Sequence, residues 1–379
     1  MSTTTKSPKQ LAAAAYRIAR GTLPEYNSRY SPRKFTQPQL LVCLVLKTFF
    51  NTDYRGIVQI LDDWPSLCTV FELKTVPHFT TLKKPSHRLL KSRHARKLIE
   101  CSVSSVIDTR KAVPLAALDA TGLQSGHISP YFYKIRSKEA SYRKWTHFTR
   151  WPKLAVIADV KTHLIISVHP TRGPGRDCIH FKTIINKLPA DVPVKHIVAD
   201  AGYDSEDNHR SARTKKHIRT TIPATVGRAP KGLPKTTYRR AMKRCFDKRS
   251  YCQRWQVETV FSMIKRLLGY TLYAHSYHGQ CREVMLLALT HNLMIILLSL
   301  LANELFYRAE FGNLSHLYTG AKANDKQDYH NDDAPKPYWA KHSCGLSIGL
   351  VLLMKSRTHI VSFFNSLRCK VYDKNGRKH

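Results

Sequence analysis

The sequence predicts a mixed α/β fold in which antiparallel and parallel strands share one sheet. Short apolar runs rich in β-branched residues indicate the strands. Two of these runs, 153–160 and 163–170, are separated by only two residues and predict an antiparallel hairpin. A run that begins at Val113 adds a third strand. Helical segments separate the later runs at 196–200 and 218–224, as is typical of parallel pairing. We therefore expect three antiparallel strands extended by parallel ones.

Changes in composition divide the chain into four predicted regions. Residues 1–35 are polar and basic and form an N-terminal arm, whereas 36–110 contain several short helical segments. The α/β domain spans 111–304 and carries two basic insertions. Residues 305–379 lose any periodic pattern, so we assign them only as a C-terminal tail of unknown role.

Four polar residues stand where helices are expected to begin. Thr36 precedes Pro38 by two residues, a pattern typical of a helix start. Asp53, Asp177 and Asp204 precede further helical segments, and an aspartate in this position can accept a backbone N–H. All four are predicted N-caps.

The helical region ends in a basic segment, 83–97, which suits a helix-turn-helix-like DNA-binding module. A helical cap with a solvated basic face explains the same charges equally well. The segment therefore predicts DNA contact by 36–110 but not base recognition.

The net charge indicates a polyanionic partner. The chain carries a formal charge of +36 and has a pI near 10.0, and lysine and arginine gain affinity for nucleic acid by displacing counterions from phosphates.

The apolar stretch 284–302 approaches the length of a membrane span, but Thr290, His291 and Asn292 interrupt its centre. We predict a buried helix there, and no membrane partner.

Two basic runs are interleaved with aromatic or polar residues, 131–153 and 228–249. Cations alternating with aromatics are typical of surfaces that follow a nucleic-acid backbone, although a charge run by itself is usually a solvated face. The candidate DNA contacts in these runs are Lys144, Arg150, Lys153, Arg239 and Arg240.

The nine cysteines are scattered and contain no C-x-x-C pair, and the chain opens with a polar segment. These features predict buried thiols in a reducing compartment rather than a disulfide framework or a zinc site. We expect a cytoplasmic, nucleoid-associated protein.

The segment 251–265 contains neither glycine nor proline and predicts one continuous helix. At about 100° per residue, Tyr251, Arg254, Glu258 and Lys265 fall within about 60° of one another, beside an apolar stripe that faces the core. An ordinary i,i+4 ion pair between Arg254 and Glu258 is the simpler explanation of this pattern.

Two aspartates at strand ends, Asp119 and Asp200, favour a catalytic explanation. Together with Glu258 they supply three hard oxygen ligands of the kind that Mg²⁺ prefers. Two such ions about 3.5–4 Å apart activate a nucleophile and stabilise the leaving oxygen of a phosphoryl transfer. The sequence thus predicts a magnesium site formed by these three carboxylates.

The spacing of Tyr251, Arg254, Glu258 and Lys265 is Y-x2-R-x3-E-x6-K, which resembles the signature of a large group of DDE transposases from bacterial insertion sequences. LDATG around Asp119 and ADAGYD around Asp200 are similar to the two aspartate motifs of that group. The resemblance covers residues 113–300 and, more loosely, 36–100. It departs from some members in having only 57 residues between Asp200 and Glu258, too few for a large β-rich insertion.

The resemblance implies an RNase H-like catalytic core with two Mg²⁺ ions, replaceable by Mn²⁺, on Asp119, Asp200 and Glu258. It also implies DNA cleavage at terminal inverted repeats and strand transfer into target DNA, with Tyr251, Arg254 and Lys265 contacting terminal phosphates. We expect a homodimer on double-stranded DNA. An RNase H-like structure-specific nuclease and a domesticated, non-catalytic DNA-binding protein are the alternatives.

Overall fold

The computed structural model describes residues 6–107, 112–126, 151–173, 175–224 and 233–296. The predicted tail, 305–379, lies outside these ranges, as do residues 131–150 of the first basic insertion and residues 228–232 of the second. The central sheet has the strand order β4-β3-β1-β5-β6. The strands are β1 (Ala116–Gly122), β3 (Pro152–Asp159), β4 (Ile165–Arg172), β5 (His196–Ala199) and β6 (Arg219–Thr221).

The predicted sheet is confirmed. Strands β1, β3 and β4 pair antiparallel, and β5 and β6 continue the sheet in parallel from β1. A second, two-stranded sheet joins β2 (Gln124–Ser125) to β7 (Thr271–Leu272) in parallel and was not predicted, because each strand is only two residues long.

Helices fill the chain before the sheet. They are α1 (Pro8–Thr22), α2 (Gln37–Phe49), α3 (Tyr54–Asp63), α4 (Pro65–Cys68), α5 (Phe79–Leu89) and α6 (Ser92–Ser104), with a 3-10 turn at Thr69–Phe71. Thr36 forms a capping box with Gln39 at the start of α2, and Asp53 Oδ1 accepts the Gly56 N–H (2.6 Å) at the start of α3. Both predicted caps are confirmed.

The later helices are α7 (Phe181–Asn186), α8 (Glu206–Lys216), α9 (Thr237–Arg244), α10 (Lys248–Tyr251), α11 (Trp255–Leu267) and α12 (277–296). The prediction of one continuous helix over 251–265 is wrong in detail, because a 3-10 turn at Cys252–Arg254 separates α10 from α11. Asp247 caps α10 through the Ser250 N–H (3.0 Å), so the helical path also begins before Tyr251. No residue in the segment forbids an α-helix; the tighter turn occurs where Arg254 reaches the sheet.

The sheet is covered on both faces. One face packs against α11, α12 and the N-terminal helices in a single apolar cluster that includes Leu11, Leu44, Val156, Val260 and Leu289. The other face packs against α7 and α8, mainly through Phe181, Ile184 and Ala212. None of the helices in the described ranges is long and apolar enough to span a membrane.

Candidate active site

The register of β1 and β5 places two aspartates side by side. Leu118 pairs with Ala199 at the last matched position of this parallel ladder; Asp119 is the next residue of β1, and Asp200 directly follows β5. Because side chains alternate along a strand, Asp119 shares a face of β1 with Ala117. Ala117 packs in the apolar cluster that includes the buried side chains of α11. Both aspartates therefore lie at the carboxyl-terminal edge of the sheet, formed by the ends of β1 and β5, on the face that α11 covers.

Glu258 reaches this edge because α11 is held against the sheet. Val257, Val260 and Ile264 are almost completely buried beneath the helix, whereas 54% of the Glu258 side chain is exposed. The apolar stripe predicted from the sequence thus fixes the helix, and Glu258 lies at the boundary between the stripe and solvent.

Arg254 connects the two elements. Its Nη2 donates to Glu258 Oε1 (2.7 Å), and its Nη1 lies 3.4 Å from Asp119 Oδ2. The i,i+4 pair predicted from the helix is present, but the same guanidinium also contacts an aspartate 135 residues earlier in the chain. The structure therefore brings Asp119, Arg254 and Glu258 together.

Lys265 makes a second polar link between α11 and β1. Its Nζ donates to Thr121 Oγ1 (2.7 Å), and Thr121 lies two residues after Asp119 on the same face of the strand. Nζ carries three protons, so this bond leaves donors for another acceptor. Arg254 and Lys265 thus flank the carboxylates on one side of the helix.

The pKa of the Asp119 carboxyl is raised above its ordinary value. Burial raises its pKa, and the neighbouring carboxylates of Asp200 and Glu258 raise it further; the Ala120 N–H and Arg254 only partly offset this. Burial likewise raises the pKa of the Tyr251 phenol, with Asp200 and Asp119 adding to the effect and Arg254 opposing it. Five predicted residues thus share one electrostatic environment.

Other predicted contacts are engaged within the protein. Lys153 Nζ donates to both carboxylate oxygens of Asp177 (2.6 and 2.8 Å), and Arg239 Nε donates to both oxygens of Asp204 (3.0 and 2.9 Å). Arg240 donates to the carbonyl oxygens of Pro234 and Lys235. Lys144 and Arg150 lie outside the described residues.

The predictions that Asp177 and Asp204 cap helices are wrong. Asp177 is the first residue of a 3-10 turn, Asp177–His180, and its carboxylate binds Lys153. Asp204 precedes Ser205, the N-cap of α8, and is fully buried against Arg239. In both cases the carboxylate binds a cation from a distant element, through hydrogen bonds in which donor and acceptor are both charged.

Sequence reasoning also missed Tyr203, which follows Asp200 by three residues. Its hydroxyl is buried and has no hydrogen-bond partner among the described residues. Burial raises its pKa, and Asp177, Asp119 and Asp200 add to the effect. A tyrosine in an apolar strand-end segment gives no signal of this position, because only the fold places it beside three acids.

The ligand atoms at this edge suit a hard divalent cation, since Asp119, Asp200 and Glu258 offer only carboxylate oxygens. Within the described ranges, however, no three His, Cys, Asp or Glu side chains are arranged to hold one metal ion together. A guanidinium instead joins two of the three carboxylates. A shared ion would require Arg254 to release them.

Comparison with protein families gives a match over the α/β domain. The family model described as the transposase DDE domain matches residues 113–293, slightly less than half of the chain, and this range includes Asp119, Asp200 and Glu258. The match supports a DDE transposase as the class of protein. The five-stranded mixed sheet with its flanking helices fits an RNase H-like DDE domain. Transposases of this class generally use divalent metal ions.

Proposed function

We propose that this protein is the transposase of a bacterial insertion sequence, which cuts DNA at the ends of the element and joins them to target DNA. The observation that carries the proposal is the convergence of Asp119, Asp200 and Glu258 on one sheet edge, within the region that matches the transposase DDE domain. The signature residues Tyr251, Arg254 and Lys265 line the same side of this edge.

In this proposal the three carboxylates hold two Mg²⁺ ions, or Mn²⁺ in their place. When bound, these ions would activate water or a 3′-hydroxyl and stabilise the leaving oxygen of an in-line displacement. The protein's own part is to position the DNA. Arg254 and Lys265 donate to terminal phosphate oxygens, and Tyr251 adds a phenolic donor beside them.

The remaining charge serves DNA binding along a longer path. The helices within 36–110 and the basic runs at 131–153 and 228–249 contact the phosphate backbone of the terminal repeats and of target DNA, with Lys144 and Arg150 as candidate contacts. Two ends must be held together during strand transfer, so the active form is a homodimer on DNA.

The proposal is tested with a duplex that carries the inverted repeats flanking the gene. Asp119→Asn, Asp200→Asn and Glu258→Gln are each expected to reduce Mn²⁺-dependent nicking by about a thousandfold or more, because each removes a charged ligand of the ions. Glu100→Gln is the matched control, since Glu100 forms an i,i+4 pair with Arg96 on α6. Unchanged nicking by the three site variants would refute the assignment.

A strand-transfer assay separates a transposase from a nuclease. Pre-cleaved ends are incubated with supercoiled plasmid, and joined products are detected on a gel. Cleavage that never leads to joining would favour a structure-specific nuclease; specific binding without cleavage would favour a non-catalytic DNA-binding protein.

A further inference from the structure

The position of Arg254 suggests a role beyond contact with DNA. Its guanidinium lies between Asp119 and Glu258, and only 23% of its side chain is exposed to solvent. Clustered carboxylates repel one another unless a cation neutralises them. In the arrangement described by the structure, that cation is Arg254.

We propose that Arg254 is an internal counter-cation that occupies the metal-binding carboxylates until divalent ions displace it, after which its guanidinium is free to bind a DNA phosphate. This inference rests on the proposed function, because it takes Asp119 and Glu258 as metal ligands. It adds that metal binding and DNA-end binding are coupled through one side chain.

The contacts of Arg254 are of the kind that can be exchanged. The Asp119 contact is long at 3.4 Å, and the Glu258 partner is more than half exposed, so water screens that pair. Neither contact anchors the helix alone. α11 remains fixed by the buried side chains of Val257, Val260 and Ile264 and by the Lys265–Thr121 bond.

The displacement has a thermodynamic consequence. If metal ions release the guanidinium, then occupied metal sites favour phosphate binding by Arg254, and a bound phosphate must favour metal binding by the same factor. In the absence of DNA, Arg254 competes with the ions and lowers their affinity. The site is thereby protected against repulsion when no ion is present, and it binds metal most tightly when DNA is in place.

The competition is tested by titrating the full-length, DNA-free protein with Mn²⁺ in a calorimeter. Arg254→Gln is expected to bind Mn²⁺ about fivefold more tightly or better than the wild type, since it removes a unit positive charge from the site. Arg254→Lys retains the charge and should restore most of the lower affinity. Arg96→Gln, which breaks a matched i,i+4 pair with Glu100 on α6, should bind like the wild type.

The outcomes separate this inference from the proposed function. If Asp119→Asn weakens Mn²⁺ binding but Arg254→Gln binds no more tightly than the wild type, the counter-cation role is wrong and the metal site stands. If Asp119→Asn leaves Mn²⁺ binding unchanged, both fail. Should the wild type bind too weakly to measure, a measurable affinity in Arg254→Gln supports the inference, and its absence overturns it. Thermal melting of each variant confirms that the fold is retained.

Discussion

At the scale of single residues, three aspartates that precede helical segments differ in the partner that their carboxylate binds. Asp53, Asp177 and Asp204 have the same local pattern, yet only Asp53 caps a helix. The partners of the other two, Lys153 and Arg239, lie 24 and 35 residues away in the chain. The residues next to an aspartate do not show which cation from a distant element will contact it in the folded protein. These two predictions were wrong for that reason.

Asp204 provides a test at this scale. Its side chain is fully buried and paired with Arg239, so Asp204→Asn removes a buried negative charge from this ion pair. We expect the free energy of unfolding to fall by about 2 kcal/mol, less than for a fully buried pair because Arg239 is partly exposed. Urea denaturation measures the change.

Asp207→Asn is the matched control. Asp207 lies three residues later, is 64% exposed and pairs with Lys182 on the surface. Its loss should leave the free energy of unfolding almost unchanged, because water screens an exposed ion pair. Equal effects of the two substitutions would contradict the structural role of the Asp204–Arg239 pair.

At the scale of elements, Asn292 shows how helix α12 is joined to the sheet. Its Oδ1 accepts the Ile165 N–H (2.9 Å), and its Nδ2 donates to the Ile165 carbonyl (2.9 Å) and to Ser102 Oγ (3.0 Å). Strand β4 is at the edge of the sheet, where backbone groups lack a neighbouring strand. The amide therefore replaces a strand at this point, and the buried helix predicted over 284–302 is confirmed as far as residue 296.

Asn292→Leu should destabilise the protein by about 3 kcal/mol, because it leaves the buried N–H and C=O of Ile165 without partners. The free energy of unfolding of this variant is compared with that of Asn186→Leu, which alters an exposed asparagine at the end of α7. A loss no greater than that of the control would mean that water reaches Ile165.

Over the whole molecule, buried histidines make stability sensitive to acid. Burial lowers the pKa of His169, His196, His209 and His291 to about 4 in each case, below the usual value of 6.5. Between these values the unfolded chain binds protons that the folded chain does not. Stability is therefore greatest above pH 6.5 and is lost as the pH falls towards 4.

His291 allows the effect to be measured, because it is almost fully buried and contacts the His163 carbonyl through Nε2 (3.1 Å). His291→Gln retains a donor but cannot titrate. We expect the loss of unfolding free energy between pH 6.5 and 4.5 to shrink by about 2 kcal/mol relative to the wild type. Urea denaturation at both pH values, with the exposed His94→Gln as control, checks this; an unchanged pH dependence would argue that His291 is protonated in the folded state.

The sequence by itself determined the type of sheet, the succession of strands along the chain, the caps at Thr36 and Asp53, and the candidates Asp119, Asp200 and Glu258. These features depend on local periodicity and on residues that directly follow strands, so the signal is present in short segments. The roles of these three acids remain a proposal. The Arg254–Glu258 pair was also predictable, because residues four apart are neighbours on the surface of any helix.

Only the tertiary structure decided what else each charge contacts. It placed Arg254 between Asp119 and Glu258 and engaged Lys153 and Arg239 with internal aspartates. It also buried the hydroxyl of Tyr203, which has no hydrogen-bond partner among the described residues, where the charges of Asp177, Asp119 and Asp200 act on it. Each of these contacts joins residues from different elements, and their energies depend on burial and distance. Neither quantity exists until the sheet and helices have packed together.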